Sequence, residues 1–330
     1  MIKNYNFCSK ENEHGLFFSL VDYRNNYFIN SDPDKIIEFY NSFSDKSQLF
    51  DWMKERPKGN YVIKEIEGST EIIVVIPTID ADSQYAENCK DNIFKGLHII
   101  FVESGYDNFY FNYAHNCNAG IKKALEYNPK WIIVSNDDMY KVDKLIVLTK
   151  SLRGLDSNKF SMVFTKEAEY HSIFAQFSEP RLTRFLFLLH KRKYHIIYRI
   201  QKSLIVKKLE KKFGCQYFVS PLRGRTHFIF KSGFNFISFT DFGIFSPMLV
   251  RSYAGNLFDE TFVNAQEDHD IAIRFFLEKY SYTFIDFKIG DYVGSSLGNR
   301  FDRQMRDMAG ISYLNNKYKN KFSDSKYNKR

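Results

Sequence analysis

Three short runs of β-branched and aromatic residues constrain the fold of this chain more than any other feature. The runs are IIVVI at residues 72–76, HIIFV at residues 98–102 and WIIV at residues 131–134. Each run is stopped by turn-forming or polar residues, namely Pro77 after the first, ESGYDN after the second and SNDD after the third. Apolar runs of this length between turn signals predict three buried strands.

Two helical segments separate the three predicted strands. The segment YAENCKDNIFKG predicts a short helix that ends at Gly96. The second predicted helix is closed by Pro129, and its apolar residues at helical spacing are Ala114, Cys117, Ile121, Ala124 and Leu125. Because strands and helices alternate, we expect an α/β fold in which a mostly parallel sheet with right-handed crossovers is flanked by helices.

Polar residues follow each predicted strand, and the topology brings them to one edge of the sheet. In open sheets of this kind, ligands bind at the carboxyl ends of the strands. Acids at this edge suit a metal ion that carries phosphates, although an Asn-Asp-Asp sequence by itself is more often a simple turn. The residues at this edge are Pro77, Thr78, Glu103, Ser104, Asn136, Asp137 and Asp138.

Two common nucleotide-binding motifs are absent from the sequence. No Gly-x-Gly-x-x-Gly follows the first predicted strand, and no Gly-x-x-x-x-Gly-Lys-Ser/Thr occurs anywhere in the chain. The glycines of these motifs let the main chain approach phosphate groups closely. A dinucleotide-binding protein and a P-loop enzyme are therefore disfavoured.

A second acidic segment lies about 130 residues beyond the first. Glu267, Asp268 and Asp270 precede the apolar residues Ile271 and Ala272, which places the acids in the first turn of an amphipathic helix. Acids at this position also occur simply because they complement the helix dipole. Residues two apart on a helix face different ways, so we expect Asp268 and Asp270 to have different roles.

Five regions are predicted from these patterns. Residues 1–68 form an accessory extension containing a helix over residues 33–55 with Asp32 as its cap. Residues 69–160 and 236–310 form the two halves of the α/β domain, residues 161–235 form an insertion with basic helices, and residues 311–330 form a basic tail. The apolar fraction of 44% excludes a disordered chain.

Positive charge is concentrated in one segment. The chain has a net charge of +8, and residues 181–212 contain eleven Lys or Arg but one acid, Glu210. This segment is interpreted as a solvated arm or oligomer contact, or as an amphipathic helix lying on an anionic membrane. Binding of nucleic acid is the least favoured alternative, because no nucleic-acid-binding module accompanies the charge.

The N-terminal sequence is too polar for a signal peptide, and no apolar run is long enough to cross a bilayer. We therefore expect a cytoplasmic protein, with peripheral attachment to the cytoplasmic face of the membrane if residues 181–212 bind lipid. The oligomeric state is left open by the sequence.

The strands and acidic segments together resemble the inverting nucleotide-sugar glycosyltransferases of family 2, in particular the rhamnosyltransferase-like enzymes that extend bacterial surface polysaccharides. The resemblance covers residues 71–151 and 239–296. It is carried by EIIVVIPT, HIIFVESGYDN, YAHNCNAGIKKALEYNPKWIIVSNDDM and DFGIFSPMLVRSYAGNLFDETFVNAQEDHDIAIRF. The resemblance implies the Rossmann-like GT-A fold, a nucleoside-diphosphate sugar as donor, Mn²⁺ or Mg²⁺ as cofactor, and a glycan or lipid-linked acceptor.

The resemblance also implies roles for donor-binding residues. Pro77 and Thr78 would lie beside the nucleobase, which Glu103 would bind in place of the usual Asp. Two positions on the second helix, Asn118 and Gly120, match residues of the family that contact the donor.

The acidic residues match the family's metal and base positions. Asn136-Asp137-Asp138 replaces the family's Asp-x-Asp element, with Asp137 near the donor and Asp138 as the metal ligand. Asp291 stands where relatives often have a metal-binding His. Glu267 and Asp268 match the Glu-Asp pair whose Asp acts as the general base.

Two other classes remain open at the level of sequence. A non-catalytic protein with the same fold would act through its basic segment, binding membrane or nucleic acid. A nucleotidyltransferase is less favoured, because PTIDADSQY lacks the Gly-rich, Arg-containing loop of that group.

Overall fold

The computed structural model describes residues 39, 42–106, 108–165, 168–172, 215–220, 225–230, 235–239, 241–292, 309–310, 312–318 and 321. The basic segment at residues 181–212 and the predicted cap Asp32 lie outside these residues. None of the helices in the described ranges is both long and apolar enough to cross a membrane.

Thirteen strands and six helices have both ends within the described residues, and further helical residues lie at 309–310 and 312–318. The strands are β1 Val62–Ile66, β2 Ser69–Thr78, β3 Leu97–Glu103, β4 Trp131–Ser135, β5 Met139–Lys141, β6 Met162–Phe164, β7 Glu169–Ser172, β8 Cys215–Ser220, β9 Arg225–Phe230, β10 Asn235–Ser238, β11 Phe242–Phe245, β12 Tyr282–Phe284 and β13 Ile289–Asp291. The helices are α1 Lys46–Glu55, α2 Gln84–Asn88, α3 Tyr113–Leu125, α4 Leu145–Gly154, α5 Pro247–Ser252 and α6 Glu267–Glu278. A π-helical turn, Cys89–Ile93, continues α2.

A seven-stranded sheet in the order β1-β3-β2-β4-β11-β6-β12 forms the centre of the protein. β2, β3, β4, β6 and β12 run in one direction, whereas β1 and β11 run in the other. The predicted α/β fold, with a mixed and mostly parallel sheet flanked by helices, is therefore confirmed and is compatible with a Rossmann-like arrangement. Three small two-stranded sheets accompany the central sheet in the described ranges.

The three predicted strands are confirmed as β2, β3 and β4, and they pair in parallel. Ile72, Val74 and Ile76 pack into one apolar cluster, while Ile73 and Val75 pack into a second cluster on the other face of the sheet. Because both faces of the sheet are covered, the sequence of β2 is a continuous run of apolar residues and does not alternate between apolar and polar residues.

The second crossover helix, α3, packs closely on the sheet at Gly120. A Cβ atom at Gly120 would lie 2.3 Å from Cγ1 of Val75 and 2.8 Å from Cγ2 of Val102. Asn112 caps the helix, because its Oδ1 accepts a hydrogen bond from the main-chain N–H of His115 at 2.8 Å. Glycine at position 120 is thus explained by the contact between helix and sheet.

The predicted helix over residues 33–55 is wrong as a single element. Residues 42–45 are not helical, and α1 begins at Lys46. The Oδ1 atom of Asp45 accepts hydrogen bonds from the main-chain N–H groups of Ser47 and Gln48, at 2.8 and 3.1 Å. Asp45 is therefore the cap of the described helix, because a short acidic side chain satisfies N–H groups that a helix leaves unpaired.

The predicted boundary at residue 68 does not separate two domains. β1 lies before this boundary, but it pairs with β3 at the edge of the central sheet. α1 contributes Trp52 and Met53 to an apolar cluster that also contains Val263 and Ala309. The described part of the accessory extension is thus packed into the main domain.

The two predicted halves of the domain share one sheet. β11 lies between β4 and β6 and pairs antiparallel with both. β6 belongs to the predicted insertion but lies in the central sheet. The predicted boundary at residue 160 therefore separates strands of one sheet.

Part of the predicted basic tail is packed against the core. Residues 312–318 are helical, and Lys317 Nζ lies 2.7 Å from carboxylate oxygens of both Asp259 and Asp270. The hydroxyl of Tyr318 donates a hydrogen bond to Asp270 Oδ1 at 2.8 Å. These contacts bury Asp270 completely and attach the C-terminal helix to α6.

Candidate active site

A cleft of about 300 Å³ lies at the carboxyl edge of the sheet. It is formed where the ends of β2 and β4 meet the start of α3, the segment before β11 and the start of α6. The residues that line it are Pro77, Thr78, Ile79, Phe111, Tyr113, Asn136, Asp137, Phe239, Asp241, Phe258, Asn264, Ala265, Gln266, Glu267, Asp268 and His269. The two acidic segments of the sequence therefore meet at one cleft.

Asn136 connects the turn after β4 to both halves of the domain. Its Oδ1 accepts a hydrogen bond from the hydroxyl of Tyr113 at 3.0 Å, and its Nδ2 donates to Asp241 Oδ1 at 2.6 Å. The main-chain N–H of Asn136 also donates to the carbonyl of Asp241 at 3.0 Å. A carboxylate from a distant segment thus lies directly beside the turn.

Asp137 forms part of the cleft wall and is buried. The hydroxyl of Thr78 donates a hydrogen bond to Asp137 Oδ2 at 2.6 Å. Burial raises the pKa of Asp137, the Thr78 hydrogen bond opposes this rise, and the neighbouring charge of Asp138 adds to it. The end of β2 and the end of β4 are therefore linked through the carboxylate.

Asp138 and Asp291 lie beside the cleft and do not line it. Asp138 is 3% exposed, and its carbonyl accepts a hydrogen bond from the N–H of Tyr292 at 2.8 Å. Asp291 belongs to β13, is paired with Met139, and lines a neighbouring cavity that Asp241 also borders. Neither of the two predicted metal ligands therefore lines the cleft itself.

The oxygen donors at this edge fit a hard divalent cation. Asp137 and Asp241 line the cleft and Asp138 follows Asp137 directly, and carboxylates of this kind suit Mg²⁺ or Mn²⁺. Within the described ranges, no three His, Cys, Asp or Glu side chains are arranged to hold a metal ion.

The acids at the start of α6 have three different environments. Glu267 Oε1 accepts a hydrogen bond from the main-chain N–H of Ala265 at 2.9 Å, which holds the loop before the helix. Asp268 lines the cleft with 29% of its side chain exposed. Asp270 is buried against Arg274, its nearest atoms 3.2 Å apart, and against Lys317. Asp268 and Asp270 therefore lie in different environments, and the expected difference between their roles stays a prediction.

The loop before α6 is held in an unusual backbone conformation. Asn264 has φ 56° and Gln266 has φ 75°, both in the left-handed region. Asn264 is held by two hydrogen bonds to the segment before α3, because its Oδ1 accepts from Tyr113 N–H at 2.8 Å and its Nδ2 donates to the Phe111 carbonyl at 3.2 Å. Such conformations cost about 1 to 3 kcal/mol each and persist where surrounding contacts maintain them.

His269 is a titratable neighbour of Asp268 in the cleft. Its Nδ1 lies 3.0 Å from Gln266 Oε1 and 3.9 Å from Asp268 Oδ1. Gln266 thereby orients the imidazole ring beside the carboxylate.

Glu103 lies near the cleft but is engaged elsewhere. Its Oε2 accepts a hydrogen bond from the main-chain N–H of Ala81 at 2.8 Å and forms an ion pair with Lys64 at 2.8 Å. The carboxylate therefore holds the turn that follows β2. Pro77 and Thr78, by contrast, line the cleft as the sequence predicts.

Asn118 and Gly120, for which the resemblance implies donor contacts, make structural contacts and do not line the cleft. The Asn118 side chain donates to the carbonyl of Phe258 and accepts from its N–H, both at 2.9 Å, and also donates to Glu260 Oε1 at 2.9 Å. Its amide is therefore occupied in joining α3 to the loop around Phe258. Gly120 faces the sheet, where a side chain would collide with Val75.

Sequence reasoning missed Asp241, Tyr113 and His269. Asp241 directly precedes the apolar strand FGIF, and Tyr113 begins the helix that carries the apolar spacing. Only the antiparallel pairing of β11 with β4, from Phe242↔Ser135 to Phe245↔Ile132, brings Asp241 beside Asn136. A pairing across more than one hundred residues leaves no local signal in the sequence.

Comparison with known proteins adds no family assignment. A scan against models of protein families finds no match. A search of curated protein sequences also finds no similar protein.

Proposed function

We propose that the protein is a metal-dependent inverting glycosyltransferase. It would move a sugar from a nucleoside-diphosphate sugar to a hydroxyl group of a glycan or lipid-linked acceptor. The observation that carries this proposal is the placement of Asp137 and Asp268, from two distant acidic segments, on the wall of one cleft. A transferase of this type needs carboxylates both near the donor phosphates and near the acceptor.

The donor would occupy the side of the cleft formed by the ends of β2 and β4. Pro77 and Thr78 would contact the nucleobase, and Asp137 and Asp241 on the cleft wall, with Asp138 beside Asp137, would hold a divalent cation. When bound, Mg²⁺ or Mn²⁺ would offset the negative charge that grows on the departing diphosphate. The GT-A fold is part of this proposal, and the mixed α/β sheet is compatible with it.

Asp268 would act as the general base. It would accept the proton of the acceptor hydroxyl while that oxygen bonds to the anomeric carbon and the carbon–oxygen bond to the diphosphate breaks. Attack opposite to departure inverts the anomeric centre. Phe111, Phe239 and Phe258 form apolar walls of the cleft and would limit access of water to the reacting carbon.

Glu267 and His269 are positioning residues in this scheme. Glu267 holds the loop before α6 through Ala265, and His269 lies beside Asp268. Both would act on the orientation of Asp268 without touching the donor.

The first test is thermal unfolding with UDP, GDP, dTDP and CMP, each with and without Mn²⁺. A ligand at one hundred times its Kd stabilises the fold by about 2.7 kcal/mol. We expect metal-dependent stabilisation by one nucleotide. Stabilisation by none of them would reject the transferase and favour a non-catalytic protein.

The second test concerns the base. We expect Asp268→Asn to keep the nucleotide-dependent stabilisation and to lose sugar transfer, because the amide cannot accept the proton. Asp51→Asn, on the exposed side of α1, is the matched control and should transfer sugar normally. Transfer by Asp268→Asn at the wild-type rate would remove the base assignment.

Residues 181–212 would hold the protein on an anionic cytoplasmic membrane surface, where a lipid-linked acceptor is present. The basis is the sequence alone, in which basic residues surround an apolar stripe. Flotation with anionic vesicles, compared between the full chain and a variant lacking these residues, tests the idea. A full chain that does not float with the vesicles would refute it.

A further inference from the structure

Three tyrosines, two of them exposed, form a cluster near the turn that carries Asp137 and Asp138. The ring centroids of Tyr140 and Tyr292 are 5.0 Å apart, and those of Tyr85 and Tyr292 are 6.2 Å apart. Tyr292 is 50% exposed and Tyr140 is 39% exposed. The cluster combines α2, β5 and the residue after β13, so three separate parts of the chain build one aromatic surface.

Tyr85 and Tyr292 of this cluster line a groove of about 490 Å³. α2 and the π-helical turn also contribute polar side chains to the groove, namely Gln84, Glu87, Asp91 and Asn92. Amide and carboxylate groups of this kind donate and accept hydrogen bonds. The groove therefore pairs an aromatic wall with hydrogen-bonding side chains.

The floor of the groove is held by specific hydrogen bonds. Asn88 Nδ2 donates to the carbonyl of Met139 at 2.9 Å, and Asn92 Nδ2 donates to Asn88 Oδ1 at 3.1 Å. Lys141 Nζ also donates to the carbonyl of Asn92 at 3.1 Å. These bonds join the π-helical turn to β5, and π-helical turns are often found at functional sites.

The aromatic wall is also held in place. Tyr140 lies opposite Gly290 in the pairing of β5 with β13, and a Cβ at Gly290 would lie 2.2 Å from the Tyr140 ring. Only glycine leaves room for the ring at this position. The main-chain N–H of Tyr292 donates to Asp138, the residue that follows Asp137 of the cleft. This bond attaches Tyr292 to the turn that follows Asp137.

We propose that the groove lined by Tyr85 and Tyr292, with Tyr140 packed beside Tyr292, binds a neutral oligosaccharide. A sugar ring has an apolar face of C–H groups that packs on aromatic rings and a rim of hydroxyls that bonds to amides and carboxylates. The groove presents both kinds of partner. Its role as the acceptor subsite rests on the proposed function, whereas binding of the glycan itself does not.

The charge of the groove decides between this ligand and other aromatic-binding partners. Nucleic acids also stack on tyrosine rings, but they require basic residues along the phosphate backbone. Glu87 and Asp91 line the groove and repel phosphate and acidic glycans. An apolar peptide would need an apolar groove, so a neutral glycan is the class that fits.

The test is binding of the full chain, without donor, to an array of neutral and acidic oligosaccharides. We expect retention of neutral glycans by the wild type and at least a tenfold loss of affinity in Tyr292→Ala. Tyr292→Phe keeps the ring and should retain binding. The matched control is Tyr282→Ala on β12, because Tyr282 has the same exposed fraction of 50% and lies in the strand at the far end of the sheet order.

Three outcomes would overturn the proposal. These are retention of no neutral glycan by the wild type, preference for acidic glycans or RNA, and undiminished binding by Tyr292→Ala. Nucleotide-dependent thermal stabilisation of the same samples separates the two ideas. Stabilisation without glycan binding would reject the groove alone, and glycan binding without stabilisation would reject the transferase alone.

Discussion

The hydrogen bond between Asn136 and Asp241 offers the sharpest test of how the candidate site is assembled. Asn136 Nδ2 donates to Asp241 Oδ1 at 2.6 Å, while Asn136 Oδ1 accepts from Tyr113. Exchanging the two residues, Asn136→Asp with Asp241→Asn, reverses the direction of the bond and leaves the number of carboxylates unchanged. The aspartate at position 136 would keep one oxygen for Tyr113.

Each single substitution should destabilise the fold by a different mechanism. Asp241→Asn replaces a charge-assisted hydrogen bond, which contributes about 1.5 to 3 kcal/mol, by a neutral one of about 0.5 to 1.5, so we expect a loss near 1 kcal/mol. Asn136→Asp places two carboxylates at the same separation. Their repulsion is about 1.6 kcal/mol in a water-like dielectric and about 6 at an effective dielectric of 20.

Protonation limits the cost of Asn136→Asp. Holding a proton on a carboxyl of pKa 3.9 at pH 7 costs about 4 kcal/mol, which is the upper limit of the penalty. The shared proton raises the pKa of the pair above that of the unfolded chain. The penalty should therefore be largest at pH 7 and shrink as the pH falls toward 4.

Urea unfolding followed by tryptophan fluorescence measures these differences, since Trp52 and Trp131 are both buried. We expect the exchanged double variant to lie within about 1 kcal/mol of the wild type at pH 7. The coupling free energy of the double-mutant cycle would then be about 2 to 4 kcal/mol. A double variant as unstable as the sum of the two single variants would refute the bond as a stabilising contact between Asn136 and Asp241.

Two further predictions concern the sheet and its edges. Gly120→Ala places a Cβ 2.3 Å from Val75, and we expect this overpacking to cost about 1 to 3 kcal/mol. The cost should exceed the gain in helix propensity, which is about 1 kcal/mol, so the variant should be less stable in urea unfolding. Gly154→Ala is the control, because no atom lies within 4 Å of its Cβ. Unchanged stability with weakened nucleotide binding would instead support a donor contact for Gly120. Burial raises the pKa of Glu65, but bonds from Tyr127 and His98 outweigh it and lower the pKa below 4.5. The loss of unfolding free energy in Glu65→Gln should therefore reach its full size above pH 5 and vanish as the pH falls through the folded pKa of Glu65. A loss that does not depend on pH would contradict the contacts of the Glu65 carboxylate with Tyr127 and His98.

Local patterns in the sequence were sufficient for the centre of the fold. The runs at residues 72–76, 98–102 and 131–134 are β-branched and bounded by turn signals, and they form β2, β3 and β4. Their parallel order follows because the crossover helices leave few alternatives. The acidic residues after β4 and at the start of α6 could also be identified from the sequence, since the first group follows an apolar run and the second precedes one.

Other features were not predictable because they depend on contacts between distant residues. The break before α1 is an example, because an apolar and polar pattern continues through residues 42–45 while Asp45 caps a new helix. The role of Asn118 is another. An amide at that position suits a ligand or a loop equally well, and only the position of Phe258 and Glu260 decides between them.

The sequence by itself determined the three central strands, the helical segments between them, and the edge of the sheet at which the acids emerge. These properties follow from side-chain periodicity and chain connectivity, which are local. The tertiary structure alone decided that β11 inserts between β4 and β6, that Asp241 meets Asn136, and that Tyr85, Tyr140 and Tyr292 form one surface. Pairing of this kind depends on the packing of the whole chain, so no short stretch of sequence specifies it.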